Sequence, residues 1–136
     1  MVVVSFSTMI CYQNTPGAGR GVFATRNIDA GDVIERVPVI VIPESECPNV
    51  DETILDSYAY KWVGGSLAIA LGLGSIYNHS LAPNATYVRR YEGREIEFIA
   101  LAPIRAGEEV FINYNGNPAD QTAVEFLGDR WRRAGE

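Results

Sequence analysis

The chain contains one histidine, His79, set between Asn78 and Ser80, and a Pro83-Asn84 pair follows shortly after. Such a concentration of side-chain hydrogen-bonding groups reads as a turn between an apolar run and a strand-like run. Taken alone, a lone histidine in a polar turn is more often a satisfied structural residue than a ligand or base. Two distant pieces change that balance. Upstream lies a glycine turn, Gly19-Arg20-Gly21, and downstream a strand-like run, Glu109-Val110-Phe111-Ile112-Asn113-Tyr114, that ends on a phenol. Cys11 and Cys47 are too few and too far apart for a zinc cluster, so each is expected as a free buried thiol and no metal site is expected.

The elements that must carry these groups come from a chain of 136 residues, 47% hydrophobic and 21% charged. That suits a single globular domain spanning 1–136. No apolar run approaches the roughly 20 residues needed to cross a bilayer, and the opening Met-Val-Val-Val-Ser-Phe lacks the basic start of a signal peptide. The expected location is therefore cytoplasmic and soluble, with no membrane partner. A formal charge of -6 argues against a nucleic-acid partner and suits a basic one. Ten arginines accompany a single lysine, Lys61.

Short strands are expected within 1–13. Phe23 to Ile34 aligns without a gap on Ile99 to Val110, an offset of 76 residues (107 − 31). Each copy reads as strand, Ala-Gly turn and strand, which predicts several small antiparallel sheets. Val37 to Pro43, with a proline near each end, reads as an edge strand. Ile54, Leu55, Tyr58 and Trp62 recur at helical spacing, giving an expected helix over about 51–62 capped by Asn49 or Asp51 and stopped at Gly64-Gly65. Leu67 to Leu73 is apolar and fits a buried helical turn or a strand equally well. Thr86 to Tyr91 and Glu95 to Leu101 flank Glu92-Gly93-Arg94 as a hairpin. A helix is expected over about 120–127.

In order and spacing, the Gly-x-Gly turn, the Asn-His-Ser with its following Pro-Asn, and the Glu-x-x-x-x-Tyr strand end resemble the SET domain of protein-lysine methyltransferases. The resemblance covers about residues 19–116, with a variable insert at about 44–66 and a C-terminal segment at 117–136. It implies a mainly β, β-clip fold with short helices and a C-terminal pseudoknot, an exception to unknotted topology. It implies S-adenosyl-L-methionine as cofactor and a protein or peptide lysine as substrate. Gly19, Arg20 and Gly21 would then lie against the cofactor, Asn78 and His79 would hold its adenosine and methionine parts, and Tyr114 would stand at methyl transfer. Tyr87 would form the lysine channel and favour lower methylation. Tyr58 or Tyr60, at most one of them, would reach that channel. Phe126 or Trp131 would cover the adenine.

Two departures stand out. Asn113 replaces the family's usual aspartate, and the cysteine-rich tail of many histone methyltransferases is absent. The match is closest to short stand-alone SET proteins, including bacterial ones. Alternatives left open by the residues are a SET module that binds or regulates without turnover and an unrelated β-clip domain sharing only the hairpin and the Ala-Gly turns.

Overall fold

Alternation of apolar and polar residues drives most of this chain into strands, because only a pleated backbone puts every second side chain on one face. The structure, a computed structural model, describes residues 7–17 and 19–124. Its strands are β1 (Ile10–Thr15), β2 (Gly19–Ala24), β3 (Val33–Ile42), β4 (Tyr60–Lys61), β5 (Leu67–Ala70), β6 (Asn78–His79), β7 (Ala85–Arg90), β8 (Glu95–Ala100) and β9 (Glu109–Ile112), with one short helix, α1 (Cys47–Asp51). They form a four-stranded sheet, β1-β2-β9-β6, and a five-stranded sheet, β4-β5-β3-β8-β7. Between them Val22, Ile28, Ile34, Ile96, Phe98, Ile104, Val110 and Ile112 make a fully buried core.

The duplicated segment behaves differently from two hairpins. β2 and β3 lie in different sheets, and so do β8 and β9, so neither copy folds back on itself. Instead the copies pair with one another. Ile28 and Ile104 exchange both backbone hydrogen bonds, at 2.7 and 2.9 Å; Ala24 N donates to Glu108 O as Ala100 N donates to Asp32 O; Gly107 N donates to Ala24 O as Gly31 N donates to Ala100 O. Each of these backbone bonds has its counterpart 76 residues away, a local two-fold relation. Gly31 and Gly107 both hold φ +88 with open space where a side chain would stand, so backbone angle alone explains glycine there.

β3 stands between β5 and β8 in the sheet order and is not an outer strand, yet each half of it has a single partner. It pairs with β8 through Pro38 and with β5 from Val39 onward. Pro38 sits where one partner ends and the other begins, so its missing N–H costs no ladder bond. A bulge between Val33 and Glu35 shifts the alternation, and both Ile34 and Glu35 become buried.

The expected helix over 51–62 is replaced by shorter pieces. α1 begins earlier, with Pro48 in its first turn, and neither Asn49 nor Asp51 caps it. The chain becomes extended at Thr53, whose hydroxyl caps a single helical turn at Ile54–Ser57. Tyr60 and Lys61 then pair with β5. Burial of Tyr60 and Trp62 against the sheet outweighs the helical spacing. Leu67–Ala70 resolves as a strand. The β7–β8 hairpin forms as expected, with Arg94 rather than Gly93 at positive φ, +51. Residues 120–124 have no regular structure, against the expected helix, whose remainder lies outside the described residues, as do Phe126 and Trp131. Cys47 is buried, whereas Cys11 is only half-buried on β1. No helix among the described residues is long and apolar enough to cross a membrane.

The implied crossing is present at the end of the described chain. β6 pairs in parallel with β9, Asn78 opposite Phe111 and His79 opposite Ile112. The Asn84 side chain extends this pairing, donating to Glu109 O at 2.9 Å and accepting from Phe111 N at 2.8 Å.

Candidate active site

Pairing of β6 with β9, and of β9 with β2, brings together three stretches far apart in sequence. Asn78 Nδ2 donates to Arg20 O at 3.2 Å and to Glu109 Oε2 at 2.8 Å. Both bonds use the amide nitrogen, so the orientation of the amide is set and Oδ1 is left to accept from a ligand. Gly21 lies directly beneath: a Cβ there would stand 2.6 Å from Glu109 Oε2 and 2.9 Å from Asn78 Nδ2. Gly19 needs its own glycine for a different reason, φ +65. Arg20 is exposed and forms no ion pair among the described residues. An acceptor for an ammonium and a guanidinium for a carboxylate make this a donor set that fits an amino-acid zwitterion.

His79 stands next along β6. Its Nδ1 accepts from Tyr114 N at 3.0 Å, which puts the neutral ring's proton on Nε2. Burial lowers its pKa from the usual histidine value. The Tyr114 ring lies 5.1 Å from the imidazole. Its hydroxyl donates to the Tyr77 carbonyl, and burial, followed by the charges of Tyr58 and Glu109, pushes its pKa far above the ordinary phenol value. Tyr114 is therefore a fixed hydrogen-bonding group and not a base at neutral pH.

Tyr77 is stacked on Phe98, ring centroids 4.2 Å apart. Its phenol donates to Glu35 Oε1 at 3.0 Å, and Leu73 N donates to Glu35 Oε2 at the same distance. Burial raises the Glu35 pKa, opposed by these two hydrogen bonds. Glu35 faces inward in phase with Val37 and Val39, opposite Phe98, and the bulge adds Ile34 to the buried side. Gly72 leaves room for the carboxylate, since a Cβ there would stand 2.7 Å from Glu35 Oε2.

On the other side of Tyr114 opens a cavity of about 390 Å³. Tyr58, Tyr60, Tyr77, Tyr87 and Tyr114 line it, together with Arg89. Tyr60 meets Tyr87 edge to face at 5.0 Å and donates its hydroxyl to Gly74 O at 2.6 Å. Tyr87 is buried, which raises its pKa, while the Arg89 guanidinium beside it acts in the opposite direction. The wall is apolar on its ring faces and polar at its hydroxyls, the character suited to an alkyl chain ending in an amine.

Of the residues singled out from sequence, Gly19, Arg20, Gly21, Asn78 and His79 thus gather on one side of Tyr114, and Tyr58 and Tyr87 on the other. Tyr58 and Tyr60 both line the cavity, where only one was expected. Asn113 orders the loop beyond: its Nδ2 donates to Asp120 O at 2.7 Å and its Oδ1 accepts from Asn115 N at 3.0 Å. Sequence reasoning missed Glu109, Tyr77 and Glu35. Glu109 opened a recognised strand motif and Tyr77 immediately precedes Asn78, so both carried a local signal. Glu35 stands two and four residues before Val37 and Val39 on the same buried face, so the alternation of β3 carried a signal for it as well. Among the described residues no group of side chains is arranged to hold a metal ion.

A family model described as the SET domain matches residues 19–115. Over 103 residues the chain is 36% identical to the histone-lysine N-methyltransferase, H3 lysine-37 specific, of Schizosaccharomyces pombe, a match covering 75% of this chain and 70% of that protein. A solved Plasmodium falciparum structure, of a candidate histone methyltransferase, superposes with a TM-score of 0.64 at 26% identity, covering 79% of this chain and 98% of that one.

Proposed function

The chain belongs to the SET-domain family, and we infer from that premise how it works as a protein-lysine methyltransferase. The methyl donor is S-adenosyl-L-methionine, whose sulfonium supplies an electrophilic methyl group. Asn78 Oδ1 receives the donor's ammonium, Arg20 its carboxylate, and Gly19 and Gly21 allow the backbone to come close. His79 holds the backbone at Tyr114. The substrate lysine enters the tyrosine cavity, with Tyr58 and Tyr87 along its stem and the Tyr114 phenol beside its amine. One observation carries this reading: Tyr114 is hydrogen-bonded to His79 through its backbone and lines the cavity with its ring, so it joins the two compartments.

A lysine with an ordinary pKa of about 10.4 must lose its proton before it can attack. A desolvated channel beside a sulfonium favours that loss. Holding the amine, methyl carbon and sulfur in line supplies much of the remaining rate. The Tyr87 hydroxyl narrows the channel and favours lower methylation.

We assign a basic segment of protein as substrate, drawn by Glu44, Glu46 and Asp51, which are all exposed. Reversing the three to lysine raises KM for a basic peptide; unchanged kinetics would discard that part. A cytosolic setting rests on composition alone, and imaging of the tagged protein tests it against a nuclear one. The central test is calorimetric titration with S-adenosylhomocysteine, beside Asn78→Ala. Saturable binding that the substitution abolishes, followed by labelled-methyl transfer to a cell extract, supports the reading. Binding without transfer to any protein favours a module that has lost turnover, and no binding overturns the cofactor assignment.

A further inference from the structure

Successive arginines on β7 have opposite fates. Arg90 points outward and pairs with Glu97 at 2.6 Å. Arg89 shares the inward face with Tyr87, two residues earlier, and lines the tyrosine cavity. Its Nε donates to Lys61 O at 2.7 Å, and its guanidinium carbon lies 5.1 Å from the centroid of the Tyr87 ring. A side chain on Gly116 would touch both groups, its Cβ standing 3.4 Å from the Tyr87 hydroxyl and 3.9 Å from Arg89 Nη1. Among the described residues no carboxylate comes within ion-pair distance of Arg89. It is a held but unneutralised cation.

We propose that Arg89 keeps the incoming substrate lysine in its neutral, reactive form. The inference rests on the methyltransferase reading above. A fixed positive charge in the channel wall disfavours a second one on the lysine, and within a partly desolvated cavity the interaction over several ångströms amounts to about one pH unit. The field of Arg89 reaches Tyr60 and Tyr87 in the channel wall, where it opposes the rise in pKa, while the charges acting at Tyr114 are those of Tyr58 and Glu109. The other groups facing the same space are Lys61 from β4, the phenols of Tyr58, Tyr60, Tyr77, Tyr87 and Tyr114, and Asp120, with Glu35 behind Tyr77. Asp120 is occupied locally, accepting from Thr122 N at 2.8 Å. In the reaction the ammonium first gives its proton to water. The nitrogen lone pair then forms the C–N bond as the C–S bond breaks, the bonding pair stays on sulfur, and the positive charge passes to nitrogen.

The test uses a peptide mixture with one lysine among randomised positions and follows kcat against pH at saturating peptide for wild type, Arg89→Gln, Arg89→Met and Arg89→Lys. The expected result is an acidic limb displaced upward by about one unit in the two neutral variants and unmoved in Arg89→Lys. A ¹³C-labelled lysine peptide titrated by NMR in the complex with S-adenosylhomocysteine shows the same displacement without turnover. Calorimetric binding of S-adenosylhomocysteine identifies which neutral variant is folded, and Arg89→Met keeps the packing of the stem. A uniform fall in rate with an unmoved limb overturns the proposal. So does a rise in KM confined to peptides with an acidic neighbour, which makes Arg89 a reader of sequence instead. If wild type transfers no methyl to any peptide, the underlying methyltransferase reading fails and this one with it.

Discussion

Glu109 shows what a single side chain contributes beyond its own contacts. Accepting from Asn78 Nδ2, it keeps the Asn78 carbonyl turned outward, so its effect on a ligand passes through another residue. Glu109→Ala is expected to weaken S-adenosylhomocysteine binding about tenfold, about 1.4 kcal/mol. Glu109→Gln, whose carbonyl accepts the same N–H, is expected to stay within about threefold. Equal losses in the two variants count against an orienting role. His79 makes a second prediction simple to read, since it is the only histidine in the sequence. Its lowered pKa means that the unfolded chain binds the proton more readily. The stabilisation that His79 contributes is therefore complete above the ordinary value near 6.5 and declines as pH falls through it, levelling once the folded form is also protonated. Protonation also occupies Nδ1, the atom that accepts from Tyr114 N. Chemical unfolding from pH 8 to 5 is expected to show this decline in wild type and not in His79→Gln; the same slope in both contradicts it.

At the scale of elements, Asn113 and the duplicated arms are the informative parts. Asn113 donates to the Asp120 carbonyl from a position only 3% exposed. Asn113→Asp, the substitution that restores the residue usual in the family, removes this donor and sets a carboxylate against a carbonyl. A loss of about 1–3 kcal/mol is expected in urea unfolding; a neutral effect means that the loop is held by other bonds. Gly31 and Gly107 occupy equivalent places in the two arms, with the same φ and open space around each. Gly31→Ala and Gly107→Ala are expected to cost about 1 kcal/mol apiece, from backbone strain alone. A marked difference between them would show that the local two-fold relation does not extend to energetics. The duplication itself was legible in sequence, as was the β7–β8 hairpin. That the copies clasp each other was not, because a strand-turn-strand pattern describes backbone angles and leaves the pairing partner open. The helix expected over 51–62 failed for a related reason: Tyr58 and Trp62 fit a helical period, but burial of Tyr60 and Trp62 on the sheet decides their conformation.

For the whole molecule, stability and function depend on opposite treatments of buried acid. Glu97 bridges three strands, its carboxylate meeting Arg36 at 2.5 Å and Arg90 at 2.6 Å. Hydrogen bonds from the two arginines hold its pKa below the ordinary carboxylate value, so its stabilisation is present above about pH 4.5 and is lost as pH falls through the lowered folded value. Glu97→Gln is expected to reduce stability at pH 7 and to remove part of the acid decline in unfolding free energy; an unchanged acid limb would assign that decline to other carboxylates. Glu35 is opposite in sign, a buried carboxyl whose pKa is raised, retained beside Tyr77 at the cavity. The sequence by itself determined the β-rich class, the glycine turns and the Asn-His, Pro-Asn and terminal tyrosine that carry the family resemblance. These are local matters of backbone angle, side-chain type and spacing. Only the tertiary structure decided that Asn78 is oriented by Glu109, that Glu35 meets Tyr77 and Leu73 N, and that Arg89 faces the cavity while Arg90 faces its salt bridge. Each depends on strand register and on the free energy of burying charge, quantities that no single stretch of sequence contains.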